Sequence, residues 1–181
     1  MDSPAMTENS TEFIMPPITK ATELGVVCGI DPGLSGGMAF IDQSGCLVNV
    51  IKMPIILKEY DLKEIIKQIK HYEPRMIAIE RQQSMHKQGL VSTFTTGKGF
   101  GMLQGIAACL APFMVVNPKD WQKEMLTALQ PGDTKKNSMI AAQRLFPTVS
   151  FLATDRCKVI HDGMTDACLL AEYTRRKLYA T

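Results

Sequence analysis

The stretch VVCGIDPGLSGG, residues 26–37, decides how this chain is interpreted. Its apolar run, residues 26–30, predicts a buried strand, and Asp31 follows directly at the end of that strand. The turn after Asp31 contains Pro32 and several glycines, which let a backbone come close to a ligand. We therefore interpret Asp31 as a site residue rather than as a simple turn acid.

Three further acids stand at comparable positions. Glu80 ends a second apolar run, MIAI at residues 76–79. Asp162 and Asp166 begin an otherwise apolar helix and lie one turn apart on the same face. Carboxylates gathered in one cleft would bind hard divalent cations through oxygen, an arrangement that suits phosphodiester hydrolysis by two metal ions. The predicted ligands are Asp31, Glu80, Asp162 and Asp166.

Other roles remain open for two of these acids and for their neighbour His161. Glu80 could be a surface charge at the end of a strand, and Asp162 could be the N-cap of its helix, a position that aspartate favours. In that case His161 would take the place of Asp162 near the metals, although an orienting or structural histidine is the better interpretation. Asp166 is the firmest ligand, because like charges one turn apart repel by about 0.2–0.5 kcal/mol unless a shared cation reverses the effect.

Composition sets the broad class of the protein. With 181 residues and 45% hydrophobic content, the chain is long enough for one domain with a real core. Its apolar runs are far shorter than the roughly 18 residues of a membrane span, so no membrane association is expected. The five cysteines form no close pairs and indicate a reducing compartment, with neither a zinc site nor a disulfide framework.

Charge is distributed unevenly along the chain. Residues 1–24 carry net −3 and the remainder net +5, which fits a polyanionic partner without proving one. The first segment is polar and has no periodicity, so we expect residues 1–24 to be a flexible tail and residues 25–181 to form the domain. Because this segment has four acids and no arginine, it is unlike an organelle transit peptide, and we expect a cytoplasmic protein.

Hydrophobic periodicity and turn signals predict a mixed α/β sheet covered by helices. The predicted strands are residues 25–31, 37–42, 46–53, 75–80 and 113–117. The predicted helices are residues 61–71, 100–110, 119–129, 134–146 and 162–178. We expect residues 82–99, which are rich in glutamine, threonine and glycine, to form a link between a strand and a helix.

In this layout the chain resembles the RuvC-type Holliday-junction resolvases of the ribonuclease H-like superfamily. The resemblance is carried, in order, by the first-strand signature GIDPG, the fourth-strand glutamate in AIE, the glycine-rich helix GKGFGMLQG, the basic turn NPKDW and the acidic helix HDGMTDA. These segments are residues 29–33, 78–80, 97–105, 117–121 and 161–167. Each motif is weak alone, but together they are specific and extend over residues 25–175.

The resemblance implies a ribonuclease H-like fold, with a mixed five-stranded sheet flanked by helices. It implies a homodimer that cuts a four-way DNA junction at two symmetric sites. Each active site would use two Mg²⁺ ions, or Mn²⁺ in their place, and no small-molecule cofactor. From the composition of residues 1–24 we expect the cytoplasm of a bacterial or phage-infected cell rather than an organelle matrix.

Some features depart from the bacterial RuvC pattern and favour the phage and chloroplast branches. Asp162 and Asp166 are four residues apart instead of three, and a glycine-rich run follows Glu80. Bacterial members tend to carry an aromatic residue just after this glutamate for the junction centre, where this chain has RQQS. That role is either absent here or has passed to Phe94 or Phe100.

An acid-free stretch, residues 81–110, favours a loop that contacts phosphates through its cations and its amide and hydroxyl groups. Further lysines after the last strand could line the other side. The predicted DNA-binding residues are Arg81, Lys87, Lys98, Lys119, Lys135 and Lys136. On the glycine-rich helix, Gly101 and Gly105 lie on one face and permit the close approach of a second copy. We assign Trp121 to the core or the dimer surface.

Three other functions are weighed against junction resolution. A ribonuclease acting on RNA–DNA hybrids is the real rival, because it belongs to the same superfamily and the basic and glycine-rich features do not separate the two. The turn DPGLSGG, residues 31–37, also looks like the phosphate loop of actin- or hexokinase-like phosphotransferases, but those proteins need two such domains. A non-cleaving junction-binding module conflicts with intact acids at all the predicted ligand positions.

Overall fold

The computed structural model describes residues 25–83, 89–127 and 132–179. The predicted tail, residues 1–24, therefore lies outside the described residues. The strands are β1 (Val27–Asp31), β2 (Gly37–Ile41), β3 (Leu47–Lys52), β4 (Ile55–Ile56), β5 (Glu59–Tyr60), β6 (Met76–Glu80) and β7 (Phe113–Val116). The helices are α1 (Leu62–Tyr72), α2 (Leu90–Leu110), α3 (Pro118–Met125), α4 (Thr134–Leu145) and α5 (Asp162–Tyr179).

Five strands form one mixed sheet in the order β3-β2-β1-β6-β7. β1 pairs antiparallel with β2, and β2 pairs antiparallel with β3. β6 and β7 run parallel to β1, and α1 and α2 lie in the crossovers that parallel pairing requires. The predicted mixed five-stranded sheet flanked by helices is confirmed.

The central strands are apolar on both sides, because helices cover both faces of the sheet. Successive side chains of a strand point to opposite faces, so a strand with a continuous apolar run is buried on both faces of the sheet. On one face, Ile30 and Ile79 pack with residues of α1 and α2. On the other face, Ala39 and Ala78 pack with α4, α5 and Trp121 of α3.

α5 packs directly on the middle of the sheet at Gly29. A Cβ at this position would lie 2.3 Å from Ala167 O and 2.6 Å from Ala171 N, so a larger residue would push the helix away. The close approach buries the apolar side of α5 and fixes its first turn beside the end of β1. Neither α5 nor any other described helix combines the length and the apolar character needed to cross a bilayer.

Three parts of the fold differ from the sequence-based expectation. α2 begins at Leu90, so the second half of the predicted link, residues 82–99, is helical. Its serines, threonines and glycines are poor helix formers, and its apolar residues surround the helix instead of marking one face. The β4–β5 hairpin was not anticipated, because two-residue strands show no alternation. α3 ends at Met125 and not at residue 129.

Candidate active site

Asp31 and Glu80 stand side by side at one edge of the sheet. β1 and β6 are parallel neighbours, and Ile30 lies opposite Ile79 in their register. Each acid follows directly after this pair, and both lie on the face that α5 covers, as Ala78 does. The register of the sheet therefore brings together two acids that are far apart in the sequence.

The first turn of α5 adds the other two acids. Gly163 lies against the turn between β1 and β2, where a Cβ would be only 2.3 Å from a backbone carbonyl oxygen of that turn. A glycine is needed for so close a contact. The contact places Asp162 and Asp166 at the end of β1, where the charge of each acts on Asp31.

Burial and mutual repulsion govern the protonation of three of these carboxyls. Burial raises the pKa of Asp31 well above its usual value, and the charges of the other three acids raise it further. Burial raises the pKa of Glu80 to about 7, with a hydrogen bond from Trp121 opposing this effect and the charge of Asp166 adding to it. Burial also raises the pKa of Asp166 to about 6. The acids therefore share one poorly solvated site that favours a positive charge.

Asp162 differs from the other three acids because a lysine neutralises it. Lys135 Nζ lies 2.7 Å from Asp162 Oδ2, and this contact lowers the pKa of Asp162. The N-cap position of α5 belongs to His161, whose carbonyl oxygen accepts hydrogen bonds from the N–H groups of Met164 and Thr165. Asp162 is therefore the first helical residue, and its other carboxylate oxygen accepts the N–H of the next residue at 3.2 Å.

Trp121 has a role at this site that the sequence analysis missed by assigning it to the core or the dimer surface. Its side chain is fully buried, and its Nε1 donates a hydrogen bond to Glu80 Oε2 at 2.8 Å. The bond fixes one carboxylate oxygen and leaves the other for a ligand. The only signal in the sequence is position, because Trp121 follows Pro118 in the helix after β7, the strand beside β6.

The donor set fits a hard divalent cation. All four side chains offer carboxylate oxygens, and Asp166 Oδ1 is buried with only the Ser138 hydroxyl nearby, which lowers the pKa of Asp166 but forms no hydrogen bond of full geometry. A buried polar atom of this kind is costly unless something binds it. Within the described ranges, no three acidic, histidine or cysteine side chains are already arranged as a ligand cluster. In this structure the positive group in contact with Asp162 is the Lys135 ammonium.

The predicted DNA-binding residues have different surroundings. Lys98 pairs with Glu59 at 2.6 Å, so a protein group already neutralises its charge. Lys135 forms the ion pair with Asp162 described above. Like Lys135, the side chains of Arg81, Lys119 and Lys136 are exposed to solvent. Lys87 lies outside the described residues.

One strip of α2 is open to solvent. A Cβ at Gly101 or at Gly105 would meet no heavy atom within 4 Å, and both glycines are exposed. Leu103 of the same helix is buried in the core. Near the start of α2, Phe94 is 72% exposed, whereas Phe100 packs against the core. Of these two aromatic residues, Phe94 is the one that a partner can reach.

Comparison with known proteins gives structural neighbours only. No family model matches the chain, and no curated protein matches it. RuvC of Thermus thermophilus, solved with a Holliday junction substrate, is 16% identical with a TM-score of 0.62, covering 85% of this chain and 95% of that chain. The yeast mitochondrial Holliday junction resolvase Ydc2 is 16% identical with a TM-score of 0.56, covering 84% and 80%. The fowlpox virus resolvase, solved with junction DNA, is 15% identical with a TM-score of 0.54, covering 85% and 99%.

Identities this low establish the fold and not the activity. The chain has the fold of the RuvC-type structures, which the motif resemblance predicted. The assignment to the phage or chloroplast branch stays a prediction.

Proposed function

We propose that this chain is a structure-selective endodeoxyribonuclease that resolves four-way DNA junctions. The observation that carries the proposal is the acid cluster, which two adjacent strands and the first turn of α5 bring together at one edge of the sheet. The fold supports the proposal, because two neighbours with this fold, RuvC and the fowlpox virus enzyme, are solved with junction DNA. The cluster supplies the chemistry and the fold suggests the substrate.

The four acids are the proposed ligands of two Mg²⁺ ions, or of Mn²⁺ in their place. When bound, such ions activate a water molecule and stabilise the leaving 3′ oxygen as the phosphodiester bond breaks. The protein prepares this site in two ways. Burial disfavours the negative charge of Asp31 and of Asp166 unless a cation balances it. The hydrogen bond from Trp121 orients Glu80.

Lys135 is proposed to act both on the acid cluster and on the bound DNA. In the absence of a bound cation, its ammonium offsets part of the repulsion between Asp162 and the other acids. Its side chain is 73% exposed, so it can also reach the phosphate of a strand that enters the site. The proposed contacts to the sugar–phosphate backbone are Arg81, Lys87, Lys98, Lys119, Lys135 and Lys136.

Resolution of a junction needs matched cuts in two strands, and one active site cuts one strand. A two-fold homodimer supplies two sites related by the same kind of axis that an open junction possesses. The exposed strip at Gly101 and Gly105 is the proposed contact between copies, because close helix approach requires residues without side chains.

The test is a cleavage assay on three labelled substrates: a four-way junction, a duplex of the same sequence and an RNA–DNA hybrid. We expect Mg²⁺-dependent cutting of the junction alone, at equivalent positions in opposite strands. Asp31→Asn should bind the junction without cutting it, and Asp155→Asn, an exposed loop acid, is the matched control. Degradation of the hybrid with the junction left intact would replace the proposal by a hybrid-specific ribonuclease.

A further inference from the structure

A cavity of about 110 Å³ lies next to the acid cluster. The turn after β1, the β4–β5 hairpin, α2 and the segment after β6 bound it. Residues that line it include Pro32, Leu34, Tyr60, Gln82, Thr95 and Met102. Asp31 directly precedes Pro32, and Glu80 lies two residues before Gln82, so a nucleotide next to the one held at the acids would lie near this cavity. We refer to it as the Tyr60 cavity.

The Tyr60 hydroxyl has hydrogen-bonding capacity to spare. Its oxygen accepts a hydrogen bond from Gly33 N–H at 2.7 Å, which ties the hairpin to the turn after Asp31. The hydroxyl also carries a proton to donate, and no acceptor for this proton is found in the described part of the chain. The ring is held from one side, because a Cβ at Gly99 would lie 2.7 Å from its Cε2 atom.

The lining of the Tyr60 cavity favours a neutral, flat ligand. Lys98 and Glu59 both line it and neutralise each other at 2.6 Å, while Lys58 is solvent-exposed at the hairpin tip. Lys58 at the rim can meet a backbone phosphate, whereas the apolar and neutral polar groups in the rest of the lining suit a nucleobase. The volume is well below the roughly 300–1,000 Å³ of pockets that hold drug-sized ligands, which suits a single base.

We propose that the Tyr60 cavity is a subsite for one unpaired nucleobase of the strand that the acid cluster cuts, with the Tyr60 hydroxyl donating a hydrogen bond to that base. The proposal rests on the proposed function. It adds that cutting depends on the identity of the base that enters this cavity. Bases beside a branch point have lost a stacking neighbour, so turning one of them outward costs less than it does within a duplex. Gln82 offers amide donor and acceptor groups that can read the edge of the base, and Thr95 Oγ1, which donates its proton to Val91 O at 2.9 Å, can accept a hydrogen bond.

The experiment is an abasic scan. The cut site in a four-way junction is mapped first, and then one nucleotide at a time near the cut is replaced by an abasic residue. Single-turnover rates are measured with saturating protein and Mg²⁺. For the wild-type protein we expect one position at which the loss of the base slows cutting about tenfold, because stacking and hydrogen bonding of that base are lost.

Two variants test whether the base detected in the abasic scan occupies the Tyr60 cavity. Tyr60→Phe removes the hydroxyl, and Gly99→Ala pushes a methyl group into the tyrosine ring. Both should slow cutting of the intact junction, and both should shrink the abasic penalty at the sensitive position to about twofold or less. Gly97→Ala is the matched control, because it changes helix propensity in the same way while its Cβ meets nothing within 4 Å. Tyr72→Phe, which alters a ring packed on Phe40, is the control for the loss of a phenol.

The outcomes separate this proposal from the proposed function. Cutting with a flat abasic scan, or with an abasic penalty that is the same in the wild type and in both cavity variants, would show that the cavity holds no base. A purely structural role for Tyr60 predicts that second pattern, since misfolding slows all junctions alike. If the wild type cuts no four-way junction at all, the proposed function fails and the subsite fails with it.

Discussion

At the scale of single residues, the hydrogen bond from Trp121 to Glu80 controls how the acid cluster is organised. Burial holds the pKa of Glu80 at about 7, so in neutral solution this carboxyl is near the midpoint of its titration when no cation is bound. The indole N–H stabilises the charged form and fixes its orientation. A residue that only packs would do neither.

Trp121→Phe tests this orientation. The substitution keeps an aromatic ring in the core but removes the donor, so Glu80 loses the partner that fixes one of its oxygens. Partners of this kind are typically worth about 10–100-fold in metal affinity or activity. We expect the Mg²⁺ concentration for half-maximal cutting to rise or the rate at saturation to fall within that range. An unchanged Mg²⁺ titration would make Trp121 a packing residue only.

The raised pKa values also predict how stability depends on pH in metal-free protein. A carboxyl whose pKa is higher in the folded state binds its proton more tightly there, so the stability it contributes is present at low pH. This contribution is lost as the pH rises from 4.5 to about 7 for Glu80 and from 3.8 to about 6 for Asp166. We expect the melting temperature in EDTA to fall between pH 5 and pH 8, and Mg²⁺ to restore part of the loss.

Asp31→Asn extends that prediction to a single group. Removal of a buried charge among three other acids should raise the melting temperature of the metal-free protein at neutral pH by a few degrees. The same change should abolish cutting, since the group that destabilises the fold is the one that the chemistry requires. Asp155→Asn should change neither property. A lower melting temperature for Asp31→Asn would mean that the carboxylate stabilises the fold.

At the scale of elements, the β4–β5 hairpin has a strained tip. Its two loop residues, Leu57 and Lys58, have φ values of 50° and 63°, a region that two-residue hairpins normally fill with asparagine and glycine. Leu57 is 92% exposed, so core packing does not explain its presence. Strain of this kind persists where a side chain serves another purpose.

Leu57→Asn combined with Lys58→Gly should relieve the strain. We expect a higher melting temperature and a lower rate of junction cutting, because the tip borders the Tyr60 cavity. Glu73→Gly is the control: Glu73 is also left-handed, with φ 43°, but it caps α1. That variant should gain stability without a change in cutting. Equal cutting by all three proteins would remove any role for the hairpin tip.

Two consecutive lysines in the first turn of α4, Lys135 and Lys136, have different surroundings. Lys136 is exposed and binds no described acid, so Lys136→Ala should weaken binding of all junction sequences alike and reduce the salt dependence by about one phosphate contact. Lys135 pairs with Asp162, so Lys135→Ala should shift the Mg²⁺ dependence of cutting in addition. Binding titrations at several salt concentrations and Mg²⁺ titrations of the rate give both results. Identical behaviour of the two variants would contradict the division of roles.

A feature of the site could be predicted from the sequence when it depends on neighbouring residues, and could not when it depends on residues that are far apart in the chain. Asp31 and Glu80 were foreseeable, because an acid directly after a buried apolar run is a local pattern. The start of α2 was not, because its serines, threonines and glycines are poor helix formers and its exposed apolar residues mark no face of a helix. The bond from Trp121 to Glu80 joins residues 41 positions apart, and no periodicity encodes it.

At the scale of the whole molecule, the packing of α5 on the central strands brings two of the four acids to the other two. α5 lies on the central strands, and its close contacts at Gly29 and Gly163 leave little freedom for its first turn. The acid cluster is thus fixed by the core. The surfaces proposed to meet DNA or a second copy lie outside the core, at the hairpin, at the exposed lysines and on the open strip of α2.

The open strip of α2 makes the assembly testable without disturbing the fold. A Cβ at Gly101 meets no heavy atom within 4 Å and the position is exposed, so Gly101→Leu should leave the melting temperature of the isolated chain nearly unchanged. In a dimer joined by close helix contact, the same side chain would separate the two copies. We expect wild-type dimers and Gly101→Leu monomers in sedimentation, with Gly101→Ala between them. Because a monomer carries one active site, the variant should release nicked junctions where the wild type releases paired duplexes. A Gly101→Leu protein that still sediments as a dimer and still makes paired cuts would place the contact between copies elsewhere on the molecule.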